Sequence, residues 1–72
     1  MSGLRKRSIH LHGQKTSVSL EDEFWAAFRQ IAAARGERLP DLINTIAGER
    51  PQSANLSSAI RLFVLRHFRA ST

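Results

Sequence analysis

Residues 15–28 read KTSVSLEDEFWAAF, and this stretch changes from the pattern of a strand to that of a helix within a few residues. Thr16, Val18 and Leu20 alternate with small or basic polar residues, which predicts a short strand with one apolar-leaning face and one polar face. The three carboxylates at residues 21–23 then fall in the first turn of a helix, where the macrodipole favours negative charge. A strand this short needs a partner for its backbone groups and its apolar side, and we expect the rest of the chain to supply one.

The residues before this strand predict either a second strand or an unpaired arm. Residues 8–12, SIHLH, alternate in polarity, and the Gly-Gln pair at residues 13–14 suits a two-residue hairpin turn. Counting outward from that turn pairs Ile9 with Val18, which places the apolar residues of both strands on one face. The alternative is a flexible arm followed by a single strand over residues 15–20.

Three helices are predicted after the strand, at about residues 21–35, 40–47 and 56–69. Gly36 is a natural stop for the first helix, and Asn55 is a good N-cap for the third. The third helix is apolar on more than one side, so it needs burial against several neighbours. In a chain of 72 residues, a second copy of the chain is the expected source of that cover.

Composition indicates one small domain with an uneven distribution of charge. Residues 1–20 hold two arginines and two lysines with no acid, which gives +4, whereas residues 21–72 are close to neutral at +1. A basic N-terminal arm, assigned to residues 1–7, on a near-neutral domain at residues 8–72 favours a polyanionic partner over a simple solubilising tail. The chain has no cysteine, no apolar run of about 18 residues and no apolar stretch of a secretory signal, so we expect a cytoplasmic location and no membrane partner.

Signals for an enzyme or a metal site are poor. The sequence lacks a cysteine nucleophile, a tyrosine, a Gly-rich phosphate loop and a helical His pair of the metalloprotease type. His10 and His12 share a side of a strand, but two ligands do not complete a site, and a polar or cationic contact beside the arm is favoured. The tryptophan and the phenylalanines fall at core spacing on helices rather than on exposed strands. We therefore expect no catalytic residues, no metal and no cofactor.

The polar strand face is the remaining candidate for a binding site. Lys15, Ser17 and Ser19 alternate along one side of the strand. A two-stranded antiparallel ribbon fits the DNA major groove, where short serine side chains permit close approach and lysine reaches a phosphate or a guanine. The alternative is that the two serines merely face water, and composition alone leaves these readings about even.

The order of elements resembles the ribbon-helix-helix family. TSVSLEDEFWAAFRQIAAARGERLPDLI, residues 16–43, gives an alternating strand, an acidic helix start, an apolar-striped helix, a glycine turn and a second helix with paired Leu-Ile. GERLPDLI, residues 36–43, matches the family's turn and second-helix opening, and the similarity extends over about residues 7–69, as in a compact bacterial subgroup. NLSSAIRLF, residues 55–63, also resembles the family's second helix; in that register residues 37–54 would be an insertion. We prefer the first register because its turn length is normal.

The resemblance implies a mainly α fold with a short N-terminal β-ribbon, an additional third helix and an intertwined homodimer that binds double-stranded DNA. The family's base-reading positions fall here on the outward strand residues, and its second helix presents a backbone N–H to a phosphate. Leu39-Pro40 replaces the usual Ser or Thr cap, so Arg38 is expected to substitute. The expected DNA-binding residues are Arg5, Lys6, Arg7, Lys15, Ser17, Ser19 and Arg38. The expected dimer core is Val18, Leu20, Phe24, Phe28, Leu42, Ile43, Ile60, Phe63 and Val64.

Transcriptional repression is the function that these expectations favour, since most members of the family regulate transcription. The resemblance also implies an alternative, because many members are antitoxins: the long apolar third helix would then capture a toxin protein. A third reading, from another functional class, is an interaction or oligomerisation module whose basic arm is incidental.

Overall fold

The computed structural model describes residues 3–49 and 55–70, which form a two-stranded antiparallel hairpin followed by three α-helices. This arrangement confirms the mainly α fold with an N-terminal β-ribbon and a third helix, and each predicted helix end lies within two residues of the observed one. No helix in the described ranges is long and apolar enough to cross a membrane. The elements are β1 (Leu4–Leu11), β2 (Gln14–Glu21), α1 (Asp22–Arg35), α2 (Leu39–Glu49) and α3 (Leu56–Ala70).

The first strand begins earlier than the sequence pattern suggested. β1 spans Leu4–Leu11, so the basic residues assigned to an arm over residues 1–7 are paired with β2 instead. The physical reason is that backbone pairing with β2 continues to Leu4, so that Arg7 and Arg5 lie on the inner face opposite the apolar residues Val18 and Leu20. The arm boundary at residue 7 is therefore corrected to Leu4, while residues 1–2 lie outside the described part of the chain.

The hairpin turns at His12 and Gly13 rather than at residues 13–14. Both turn residues have positive φ, 52° for His12 and 78° for Gly13, as a two-residue type I′ turn requires. Leu11 consequently faces Gln14, and the predicted pairing of Ile9 with residue 18 is wrong, since Ile9 faces Thr16. The predicted register of the two strands differs from the observed one by two residues. Because side chains alternate with a period of two, each side chain still lies on the face that was expected.

Glycine substitutions at the turn and in α2 should change stability in opposite directions. Gly13→Ala places a Cβ at φ 78°, which should lower the free energy of unfolding by about 1 kcal/mol. Gly48→Ala lies in a helix and its Cβ would meet nothing within 4 Å, so it should raise that free energy by up to about 1 kcal/mol. Urea midpoints of the two variants test the assignment; equal shifts of the same sign would contradict the turn geometry.

Local signals begin and end the helices as the sequence indicated. Gly36 has φ 67° after α1, and the Glu37 N–H donates to the carbonyl of Ala32 at 3.0 Å, which closes the helix. At the start of α3, the side-chain oxygen of Asn55 accepts a hydrogen bond from the Ser58 N–H at 2.8 Å. These two predictions are confirmed.

A single apolar core is built from the inner face of the hairpin and all three helices. Phe28 is fully buried and lies between Trp25 and Phe63, with ring centroids 6.2 and 6.0 Å away. Every residue predicted for the dimer core contributes to this core within one chain, with Phe24 and Phe63 partly buried at its edge. The intertwined dimer itself stays a prediction. The fully buried large side chains are Phe28, Leu20, Ile31, Leu42, Ile43 and Ile60.

Candidate nucleic-acid interface

Most of the outer face of the hairpin is a continuous polar surface, called here the ribbon face; the outward pair at the base of the hairpin, Leu4 with Glu21, is not part of it. It is formed by three cross-strand pairs, because directly opposed residues of an antiparallel pair point to the same side. Its side chains are exposed, apart from one that is half-buried, and none is acidic. The pairs are Lys6 with Ser19, Ser8 with Ser17, and His10 with Lys15.

The dimensions of the ribbon face match a DNA groove. The two strands lie side by side about 4.8 Å apart, so the ribbon is narrow across its strands. The major groove is about 12 Å wide and admits a two-stranded ribbon. The serine pair at the centre has the shortest side chains, so the backbone can approach base edges there while the lysines extend from the two ends.

Arg7 lies on the opposite, inner face and holds the hairpin onto α1. Its Nη2 donates to Oδ1 of Asp22, its guanidinium lies 5.6 Å from the ring centroid of Trp25, and its side chain is 15% exposed. Arg5 shares this face and approaches the same carboxylate at 3.8 Å, with a side chain that is 70% exposed. Of the basic run at residues 5–7, the structure thus brings only Lys6 to the ribbon face.

An ion pair with α3 closes the base of the hairpin. The Arg61 Nε donates to Oε1 of Glu21 at 2.9 Å, and the same guanidinium lies 5.9 Å from the ring centroid of Phe24. This hydrogen bond from Arg61, followed by one from the backbone of Glu21, lowers the pKa of the Glu21 carboxyl. Glu21 follows Ser19 on the outer side of β2. Because its carboxylate is paired with the guanidinium of Arg61, its repulsion of a polyanion at the ribbon face is reduced.

The tip of the hairpin is fixed on α2. The backbone N–H of His12 donates to Oδ1 of Asn44 at 2.9 Å. Asn44 was not among the predicted functional residues, because a single polar residue on a helix carries no signal of a contact with a distant turn. With Arg7 holding β1 near its other end, both ends of the ribbon are oriented by the helical body.

The remaining predicted contact, Arg38, is exposed and immediately precedes α2. Its carbonyl accepts the N–H of Leu42 at 3.0 Å, and Pro40 lies in the first turn, where it lacks an N–H. The helix therefore has one donor fewer for a phosphate, which is the reason that a side-chain contact from Arg38 was expected.

Residues 8 and 10 complete the ribbon face and were missed as site residues. Ser8 and His10 were recognised as polar positions of an alternating strand, and the correct pairing with β2 would have placed them beside Ser17 and Lys15. His10 lies on the ribbon face and His12 in the turn. Within residues 3–49 and 55–70, no group of three His, Cys, Asp or Glu side chains could hold a metal ion.

Comparison with known proteins agrees with this geometry. A family model described as a ribbon-helix-helix domain matches residues 4–68, which include the whole hairpin, α1, α2 and most of α3. Searches among curated proteins and among solved structures find no significant match. The resemblance found in the sequence is therefore confirmed, and the matched segment begins with β1.

Proposed function

The chain belongs to the ribbon-helix-helix family of DNA-binding regulators, and on this premise we propose that it binds double-stranded DNA through its ribbon face and represses transcription. The observation that carries the proposal is the exposed ribbon face, which has two lysines, three serines and one histidine, while the carboxylate of Glu21, which follows it on the same side of β2, is held by Arg61. A repressor acts on the chromosome, so we place its action in the bacterial cytoplasm.

The ribbon face can contact DNA in two ways. Lysine ammonium groups donate to phosphate oxygens or to O6 and N7 of guanine, and serine hydroxyls both donate to and accept from base edges. Lys15, Ser17 and Ser19 are the base-reading residues in this proposal, with Lys6 at the other end of the same face. Such contacts displace counterions from the duplex, so binding would weaken as salt rises.

The other predicted basic residues are given different roles. Arg38, exposed beside the start of α2, is proposed to contact a phosphate. Arg5 is exposed enough to reach a phosphate beside the groove, although it lies on the inner face. Arg7 is proposed to act indirectly, because its guanidinium is engaged by Asp22 and Trp25 and orients the strand rather than the ligand.

We propose that the active form is a homodimer, as is typical of the family. Leu62, Leu65 and Phe68 are between 45% and 48% exposed and follow one another every third residue of α3. This apolar stripe supports a protein–protein contact.

The same apolar stripe is the observation that favours the second candidate function, an antitoxin whose third helix binds a toxin. Size measurement of the chain alone separates the two, since a monomer with an exposed stripe would favour another protein as the occupant.

Titration with duplex DNA at several salt concentrations tests the proposed function. If each chain of a dimer engages two or three phosphates, the logarithm of the association constant should fall against the logarithm of salt with a slope of about −4 to −5. A protein that binds no duplex at low salt would defeat the proposal. If such a protein still formed a dimer, the result would favour the third reading, an interaction or oligomerisation module.

A further inference from the structure

We infer that β1 is the outer strand of a four-stranded sheet formed by two copies of the chain, and that its Lys6 and His10 contact DNA phosphates on both sides of the groove. The inference rests on the proposed function and on the proposed homodimer. A ribbon shared between two chains is what membership of the family implies, and the inference adds to it the register of the pairing and a separate role for β1.

The edge of β2 that faces away from β1 is where the inference places the partner's β2. The turn has two residues, so Leu11 and Gln14 form the first hydrogen-bonded pair, and such pairs alternate along an antiparallel ladder. The backbone N–H and C=O groups of Lys15, Ser17 and Ser19 therefore point away from β1. Among the described residues, β1 is the strand that pairs with β2, so these groups need a strand from another chain.

The sequences of the strands favour the edge of β2 over the edge of β1 for this pairing. Residues 16–20 of β2, TSVSL, carry no charge, whereas residues 5–7 of β1 are three consecutive cations. Charged side chains on an edge strand discourage its pairing with another strand. A seam between two copies of β1 would also bring two such runs of cations together. We therefore place the second copy at β2.

The packing of the helices favours the same side of the molecule. α2 packs on β1, whereas α1 and α3 pack on β2. The half of the molecule that carries the edge of β2 therefore also carries α3, whose Leu62, Leu65 and Phe68 are between 45% and 48% exposed. A second copy at this edge brings the apolar surface of both chains towards the seam, and stable homodimers bury such surface.

The charges along β2 select the register of the pairing. Outward residues meet outward residues when the two-fold axis passes through a residue, and the two such registers that use most of β2 have the axis at residue 17 or 18. An axis at residue 18 would set Lys15 beside the partner's Glu21, although that carboxylate is held by Arg61 within each chain. An axis at Ser17 sets Lys15 beside the partner's Ser19 and leaves the ion pair undisturbed. We therefore assign the axis to Ser17.

The resulting surface joins the ribbon faces of two chains. Its central row consists of Ser8 and Ser17 followed by the same two residues of the partner in reverse order. Each flanking row crosses the four strands through His10, Lys15, the partner's Ser19 and the partner's Lys6. Residues of β2 thus occupy the middle of the surface, and residues of β1 occupy its two margins.

The spacing of four strands places β1 over the DNA backbone. Neighbouring strands are about 4.8 Å apart, so the two β1 strands lie roughly 14 Å from each other. The major groove is about 12 Å wide, so the central β2 strands face the base edges while the β1 strands lie above the groove walls. Lys6 and His10 both carry N–H donors, and phosphate oxygens are the acceptors at that position. β1 therefore positions the sheet, and β2 reads the bases.

Crosslinking of single-cysteine variants tests the arrangement, since the chain has no cysteine of its own. Ser17→Cys places its thiol next to the same residue of the partner, so a short thiol crosslinker should convert most of the protein into a covalent dimer. Ser8→Cys is the matched control, because Ser8 is exposed directly opposite Ser17 on the same face. Its two thiols would lie roughly 14 Å apart, so a reagent that spans less than this distance should leave mostly single chains.

Titration with duplex DNA tests the role of β1. Lys6→Ala should weaken binding to a duplex selected from a random pool and to an unrelated duplex by the same factor, and it should reduce the salt slope by about 2, because a dimer loses two phosphate contacts. Lys15→Ala should weaken binding to the selected duplex more than to the unrelated one. Arg29→Ala is the charge-matched control, because Arg29 is exposed on α1 outside the ribbon face. It should change affinity less than about twofold.

The outcomes separate the inference from the function on which it rests. Efficient crosslinking of Ser8→Cys, or equal yields from the two cysteine variants, overturns the four-stranded sheet even if the protein binds DNA. A Lys6→Ala protein that behaves like Arg29→Ala overturns the role of β1. A protein that crosslinks through Ser17→Cys alone but binds no duplex at low salt overturns the proposed function and leaves the sheet standing. Circular dichroism of each variant checks that the exposed substitutions leave the fold intact.

Discussion

Phe28→Ala should remove most of the stability of the fold. The ring is fully buried and packs against Trp25 and Phe63, so its removal leaves a cavity at the junction of α1 and α3. Large-to-small changes of this kind cost about 3–5 kcal/mol. A domain of 72 residues is expected to have roughly 4–11 kcal/mol in total by the usual stability per residue. Urea unfolding followed by circular dichroism should give a much lower midpoint, or no folded baseline at all.

Phe68→Ala is the matched control for this prediction. It removes the same atoms from a side chain on α3 that is 45% exposed, and we expect a loss of about 1 kcal/mol or less. Phe28→Leu keeps most of the apolar volume and provides a folded variant if the alanine protein cannot be prepared. Equal losses from both alanine substitutions would contradict the assignment of Phe28 to the centre of the core. A concentration-dependent loss at Phe68 would indicate that the residue is covered in an oligomer.

Ser17→Glu should abolish DNA binding while the protein stays folded. Ser17 is exposed at the centre of the ribbon face, opposite Ser8, so the new carboxylate would meet the phosphate backbone and the acceptor groups of the bases. It would also offset one of the two lysines of the face. We expect affinity to fall by about a hundredfold or more at low salt, since a like charge placed in a close interface costs several kcal/mol. Fluorescence anisotropy with a labelled duplex measures the loss.

Thr16→Glu makes nearly the same chemical change one residue away. Thr16 is also exposed, but it lies on the other face of β2, opposite Ile9. The net charge of the protein changes equally in the two variants, so the general attraction to DNA is matched. Thr16→Glu should weaken binding about tenfold or less. If the two substitutions have the same effect, affinity depends on net charge and the ribbon face is not the binding surface.

The sequence predicts the fold well where one pattern has one structural meaning. The apolar stripe that includes Phe28, the glycine at position 36 and the Asn55 cap each indicated a local structure that the protein has. The turn was predicted at residues 13–14, one residue late, because Gly13 was assigned to the first turn position and it occupies the second. Positive φ is uncommon for residues other than glycine, and at His12 it accompanies the pairing of the two strands on either side of the turn.

The candidate site could be predicted only in part, for a reason visible in residues 5–7. The sequence presents Arg5, Lys6 and Arg7 as one basic cluster, but a strand sends alternate side chains to opposite faces. Only the paired strand shows that Lys6 points outward while Arg7 meets Asp22. Contacts between distant residues, such as the pairing of Glu21 with Arg61, leave no local pattern in the sequence.

The spacing between the turn and the basic residues of β1 constrains how this protein can evolve. A one-residue insertion or deletion between Ile9 and the turn would exchange the faces of every residue before it, unless a bulge absorbed the change. Lys6 would then face the core and Ile9 would lie on the outer side of the hairpin. Substitutions on the ribbon face leave the strand register unchanged and make little difference to the core, because those side chains are largely exposed. Changes in the chemistry of the ribbon face are therefore expected to arise by replacement of residues and not by changes in strand length.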